Sequence, residues 1–319
     1  MRIVVTGATG SIGSSIVDRL VINGHEVIGL GQSTEKIERL RADGFDIRKC
    51  SLDDTNKMEE LFSNADCIVH SAAFAAPFGS KKKFMKTNVE GTRSVMKIAQ
   101  KLEINRVIFI SSSSIFEKAN SSENHGDSLP QIPPSHPYSL SKFRAEKLLN
   151  DFPSGMWIGL RPRAVFGKND TTVLPRINKL INSKRYLVIG NGKTIVDVTC
   201  MNNFLDAVEC AINAEDKATG RVYNISNGKP LEAGYMLSKI AQKSYPNSKA
   251  KHLPHAPIKV LSHLINTIGL LSFGLLQPSL TPYSVNQLTK RMVMDISGAK
   301  QYLGWIPKQS FEEGLEEIR

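Results

Sequence analysis

The sequence predicts an α/β chain: a doubly wound parallel sheet with a smaller, interleaved C-terminal region. Three observations carry this. Short β-branched runs alternate with longer amphipathic stretches through about residue 165, the rhythm of strands buried between helices. A glycine-rich turn, Thr6-Gly7-Ala8-Thr9-Gly10-Ser11-Ile12-Gly13, follows the first run directly. The alternation then breaks after Arg161, where Pro162, Gly167 and Pro175 punctuate irregular segments.

The expected strands are residues 3–6, 26–30, 46–50, 67–71, 106–111 and 156–160. Between them Ile12, Ile16 and Leu20 share one helical face, as do Val89, Thr92, Met96 and Ala99. These elements make residues 1–166 a nucleotide-binding domain and 167–319 a substrate-binding region, with about 194–225 returning to the first through a helix near 203–213 and a strand at 221–225. Ser310 and Glu313 form a capping box for a last helix, with Phe311, Leu315 and Ile318 on one face.

A chain of 319 residues with 41% hydrophobic and 22% charged content buries a sizeable core and is neither disordered nor fibrous. Cys50, Cys67, Cys200 and Cys210 show no CxxC spacing and no histidine companions, so neither a metal site nor a disulfide framework is expected. The strand-like run starts right after Met1, which argues against a leader and for a cytoplasmic protein. The net charge of +11 fits an anionic cofactor or substrate, or an anionic membrane surface. No helix-turn-helix, finger or RNA-binding signature accompanies it, so nucleic acid is not an expected partner.

Glycines in the turn let backbone amides approach a pyrophosphate at a helix N-terminus, so residues 6–13 point to a dinucleotide. A carboxylate at the end of the second strand would accept from a ribose 2′-hydroxyl and repel a 2′-phosphate. Here the chain reads Leu30-Gly31-Gln32-Ser33-Thr34-Glu35-Lys36. Gln32, Ser33 and Lys36 can donate to a 2′-phosphate, which favours NADP over NAD.

Tyr138 and Lys142 sit four residues apart in a helix that Pro137 can begin, so they share a face. An ammonium beside a phenol stabilises the phenolate and lets it exchange a proton near neutral pH. The run from Ser111 to Ser114 falls where a fifth strand should end, beyond the carboxyl edge where sheet ligands bind. A hydroxyl there can hold a substrate oxygen against the phenol.

With these residues the chain resembles the extended short-chain dehydrogenase/reductases, a Rossmann-like superfamily. Within it the similarity is to the branch of 3β-hydroxysteroid dehydrogenases, sterol-4-carboxylate dehydrogenases and 2-alkyl-3-oxoalkanoate reductases. Residues 66–73, 88–92 and 160–167 match its fourth strand, the following helix and its sixth strand. The branch rests on residues 167–176, on Asp197-Val198-Thr199 with Asn202-Asn203, on Tyr223-Asn224-Ile225 and on Leu280-Thr281-Pro282-Tyr283. The resemblance implies Ser112 as the catalytic serine, three residues before Ile115, with Tyr138 as acid or base and Lys142 on the nicotinamide ribose. It implies a cofactor surface of Gly7, Thr9, Gly10, Ser11, Ile12, Gly13, Gln32, Ser33, Ser51, Leu52, Ala72, Ala73, Asn88, Pro162 and Val165. Three departures matter. Gln32 replaces a frequent arginine, Ser51 replaces an aspartate that contacts adenine, and Ser113 and Ser114 replace the acidic pair that sugar-nucleotide dehydratases use.

Residues 258–276 are strongly apolar, but Lys259, His263 and Asn266 argue against a transmembrane span. A core helix, a lid over a lipophilic substrate, and a membrane-surface or subunit contact compete, and the segment is expected to help admit a hydrophobic substrate. Lys81, Lys82, Lys83 and Lys86 read as a solvated helix start, His70 as a packed core residue, and His252 with His255 as no metal site. The expected activity is interconversion of a ketone and a secondary alcohol on a small hydrophobic, optionally carboxylated molecule. The rivals are a nucleotide-sugar epimerase with tightly held NAD and a non-catalytic cofactor sensor. The oligomeric state stays open, a homodimer included.

Overall fold

The computed structural model describes residues 1–271 and 280–318. The chain opens as β1 (Arg2–Thr6), α1 (Ser11–Ile22), β2 (Glu26–Gly31), α2 (Thr34–Ala42) and β3 (Ile47–Lys49). It continues through α3 (Thr55–Phe62), β4 (Cys67–His70), α4 (Lys81–Met85), a π-helical turn (Lys86–Glu90), α5 (Gly91–Lys101) and β5 (Val107–Ile110). A 3₁₀ turn (Ser113–Phe116), α6 (Pro137–Leu149), β6 (Trp157–Pro162) and β7 (Val165–Phe166) follow. Beyond them lie α7 (Leu174–Asn178), β8 (Arg185–Ile189), β9 (Ile195–Val196), β10 (Thr199–Cys200), α8 (Met201–Ile212) and β11 (Arg221–Ile225). The chain ends with β12 (Leu231–Glu232), α9 (Ala233–Ser244), β13 (Lys249–Leu253), α10 (His255–Leu271), α11 (Pro282–Thr289), α12 (Ser297–Leu303) and α13 (Phe311–Glu316).

Seven strands form the main sheet in the order β11-β6-β5-β4-β1-β2-β3, and every pairing within it is parallel. Successive side chains on a strand point to opposite faces, so both faces must be covered. Ile3 and Val5 of β1 pack with Ile16 and Leu20 of α1 and Phe204 and Val208 of α8. Val4, on the other face, joins Met96 of α5, Leu148 of α6 and Phe109 of β5. A third apolar cluster, with Phe166, Ile177, Val188, Leu237 and Phe311, sits beyond the sheet.

β11 spans the residues read as a strand at 221–225 and pairs with β6 at the sheet edge, so the chain crosses from the small region back to the sheet. The capping box at α13 is formed by Ser310 and Glu313. Two expectations change. The third strand is only Ile47–Lys49, and the apolar segment is not a core helix over its described part. In α10, Val260, Leu261, Leu264 and Ile268 are exposed; residues 272–276 of that segment lie outside the described residues. Among the described residues no helix is long and apolar enough to cross a membrane.

Candidate active site

The strand order reverses between β1 and β4, which opens a crevice at their carboxyl ends. Gly7, at φ 75°, turns the chain there; a Cβ on it would lie 2.7 Å from the Ala72 backbone. A Cβ on Gly13 would lie 2.1 Å from the Gly7 carbonyl, so helix and turn meet at a distance only glycine permits. Gly10 caps α1 without a side-chain bond, leaving first-turn amides of Ser11, Ile12 and Gly13 to receive an anion. Thr9 fills the space over Gly31, where a Cβ would meet its Cγ2 at 2.3 Å. Ser11 Oγ donates to the Asn169 carbonyl at 2.9 Å and ties the turn to the small region. These features fit a pyrophosphate-bearing cofactor.

At the end of β2, Gln32 Nε2 donates to Ser51 Oγ at 3.3 Å, so two of the residues that depart from the family pattern hold each other. Ser33 caps α2 by accepting from the Lys36 amide at 3.5 Å. Leu52 lies against Gly91, where an added Cβ would come within 2.6 Å of its Cδ1. The Ala72 amide donates to Thr6 Oγ1 at 3.2 Å, which leads into Ala73 above the crevice. Asn88 is buried, accepts from the Phe74 amide at 2.7 Å and donates to Ser141 Oγ at 2.8 Å, so its amide ties the post-β4 loop to α6. Pro162 pairs with Ile225, and Val165 with Thr199, at the rim of the sheet.

Pro137 starts α6, and the stripe Tyr138, Lys142, Glu146 recurs every four residues along it. Ser112 follows β5, is partly exposed, and lies near enough to the Tyr138 phenol to favour its charged form. Its Oγ also accepts from the Ser114 amide at 3.2 Å, which fixes the rotamer. Lys142 is 3% exposed; its Nζ donates to the Ile110 carbonyl at 2.7 Å and stands 4.9 Å from the Phe109 ring centroid. Burial lowers its pKa to about 8, against the raising effect of Glu146.

Here the expectation of a lowered tyrosine pKa changes. Burial raises the Tyr138 pKa, opposed by Ser112 and the charge of Arg176. Shared spacing placed phenol and ammonium on one stripe, but the ammonium turns to a backbone carbonyl. Tyr138 therefore holds its proton at neutral pH. His70, as expected, is packed: its ring nitrogens meet Thr6 Oγ1 at 2.7 Å and Thr92 Oγ1 at 3.0 Å, and burial with nearby Lys142 lowers its pKa to about 3.

Several residues around the phenol carried no role in the sequence reading. Tyr283 of α11 stacks on His136, with ring centroids 4.1 Å apart. Phe84 lies 6.2 Å from both the His136 and Tyr138 rings and 4.7 Å from Phe74. One wall of the cleft is thus aromatic. Arg163 is buried and donates to the Gln287 carbonyl at 3.2 Å. Exposed Arg176 of α7 directs its charge at both Tyr138 and Tyr283. Tyr283 lay in a quoted motif that signalled kinship; Arg176 had no signal beyond its charge.

Behind the stripe lies a charged cluster that the sequence reading missed. Glu146 pairs with Arg161 through Nη2 at 2.6 Å and Nε at 3.0 Å, both side chains essentially unexposed. Ser111 Oγ donates to the same carboxylate, and Arg161 also donates to Asn224 Oδ1 at 3.0 Å. Among the described residues no group of three or more His, Cys, Asp or Glu can hold a metal.

The chain is 24% identical over 100% of its length, and 96% of the relative's, to a 4-hydroxy-2-methyl-3-oxo-4-farnesyl-3,4-dihydroquinoline-1-oxide ketoreductase of Stigmatella aurantiaca. It is 25% identical to a 2-alkyl-3-oxoalkanoate reductase of Stenotrophomonas maltophilia, covering 100% of this chain and 98% of that one. Among solved structures, UDP-glucuronic acid 4-epimerase of Bacillus cereus in complex with NAD superposes with a TM-score of 0.74 at 22% identity, covering 99% of this chain and 97% of that one. The model of the NAD dependent epimerase/dehydratase family matches residues 3–226, from β1 past the end of β11. The chain belongs to that family of nicotinamide-dependent enzymes.

Proposed function

We propose that the protein reduces a ketone on a hydrophobic, carboxylated small molecule, with residues 1–166 holding the cofactor and 167–319 shaping the substrate cleft. When bound, the nicotinamide supplies the hydride. The observation that carries this reading is the convergence of Ser112, at the end of β5, and Tyr138, in the first turn of α6, with the serine acting on a phenol whose pKa burial raises. Ser112 holds the substrate oxygen, and Tyr138 gives that oxygen its proton as negative charge develops. Lys142, whose ammonium is tethered to the Ile110 carbonyl, would hold the nicotinamide ribose when the cofactor is bound. Ser113 and Ser114 supply neither acid nor base for elimination, which favours reduction over dehydration.

The half-buried rings of Phe74, His136 and Tyr283, backed by buried Phe84, support a hydrophobic substrate, and two relatives are named for reducing such ketones. Arg176 is the cation for a carboxylate on that substrate. Arg176→Ala is expected to raise KM for a β-keto acid about tenfold and to leave KM for the matching methyl ketone unchanged. Equal shifts for both substrates would remove the assignment.

NAD(H) is the cofactor expected of the family, and Gln32, Ser33 and Lys36 support NADP(H) as the better one. Steady-state oxidation of each reduced cofactor against β-keto acids, steroids and nucleotide sugars tests both points. Faster turnover with NADPH on a β-keto acid or steroid is the expected result. Equal or better turnover with NADH would end the NADP preference. Conversion of a nucleotide sugar with no net cofactor consumed would replace reduction with epimerisation.

A further inference from the structure

α10 turns a second apolar stripe away from the protein. Ser262 and Gly269 are buried and Ile258, Ile265 and Asn266 half-buried, so the inward side is already defined by these residues. Val260, Leu261, Leu264 and Ile268 are 61%, 44%, 58% and 56% exposed. Helices of globular proteins turn the apolar stripe to the core, and a single exposed leucine needs no explanation. Four such residues at spacings of one, three and four form a continuous patch, which marks a contact surface.

The surroundings decide what it contacts. Between Glu232 and Asp295 the sequence contains no Asp or Glu, while Lys239, Lys243, Lys249, Lys251 and Lys259 all fall in that stretch. Lys249 and Lys251 are exposed on β13, which leads into α10, and Lys259 is exposed on α10 itself. A two-fold contact with a second copy sets a patch against its own kind, here bringing lysines against lysines. An anionic lipid surface meets both halves of the pattern, since acyl chains take the apolar stripe and headgroups take the lysines. α10 also packs on α11, which carries Tyr283 beside the catalytic phenol.

We propose that the outward face of α10, flanked by Lys249, Lys251 and Lys259, seats the protein on an anionic lipid surface. The seating is peripheral: among the described residues no helix is long and apolar enough to cross a bilayer. It places the cleft region beside the bilayer, from which a lipophilic substrate can be drawn.

Co-sedimentation of the full chain with phosphatidylcholine vesicles, with and without phosphatidylglycerol, tests this. Binding is expected to the anionic vesicles, to be weak to the neutral ones, and to fall with added salt. Leu264→Glu is expected to weaken it about tenfold, and the Lys249→Gln/Lys251→Gln pair about as much. Circular dichroism of each variant should match the parent. No binding to anionic vesicles, or binding that ignores both variants, would overturn the proposal. So would a dimer in sedimentation velocity that Leu264→Glu dissociates, with vesicle binding absent; a second copy would then own the face. The assay reads no turnover, so its failure and that of the reductase reading are separable.

Discussion

Replacing Tyr138 with Phe is expected to lower kcat for ketone reduction by about 10²–10⁴-fold, with cofactor affinity kept. The change removes one hydroxyl and leaves the ring against Phe84, 6.2 Å away. Ser112 then polarises the substrate oxygen alone, and the proton must come from water. Burial holds the proton on the wild-type phenol, and the variant lacks that acid. Stopped-flow measurement of cofactor oxidation under saturating substrate checks this. A variant keeping more than about a tenth of the rate would show that another group supplies the proton, given the size of general-acid contributions.

Changes at Glu146 are expected to separate stability from chemistry. Glu146→Ala leaves the Arg161 guanidinium buried without its carboxylate, and breaking such a pair costs roughly 3–5 kcal/mol. Glu146→Gln keeps the acceptor for Arg161 and removes the charge, so it reads the effect on Lys142. The lysine pKa, about 8, is set by burial that lowers it and by Glu146 that raises it. Loss of the charge lowers it further. Activity that needs the ammonium is lost as pH rises through this pKa, so the alkaline limb of kcat/KM should move to lower pH in Glu146→Gln. A purely structural role for Glu146 would lower the melting temperature of both variants and leave that limb in place.

What the sequence disclosed follows from how far each signal reaches along the chain. The β1 turn, α1 and the capping box at Ser310 are local patterns, written in neighbouring residues, and the structure forms them there. β11 was legible as a β-branched run, but only the sheet shows that it lies against β6. The Glu146–Arg161 pair was not legible, because it requires α6 to cross β6 at one register. Spacing put Tyr138 and Lys142 on one stripe and could not tell where the ammonium points, since the Ile110 carbonyl comes from another element. Likewise hydropathy marked 258–276 as apolar, while the side turned to the protein depends on what α10 packs against. Asn88 shows the same limit: its motif placed it near the cofactor, and its partners, the Phe74 backbone and Ser141, are set by the loop and helix around it.

The most direct test of the central claim is mass spectrometry of product formed by the wild-type enzyme from a β-keto acid and 4,4-dideuterated NADPH, with Tyr138→Phe beside it. The expected result is one deuterium on the carbinol carbon of the wild-type product and almost no product from the variant. An unlabelled alcohol, or equal labelled product from both proteins, would contradict a reductase whose phenol at position 138 delivers the proton.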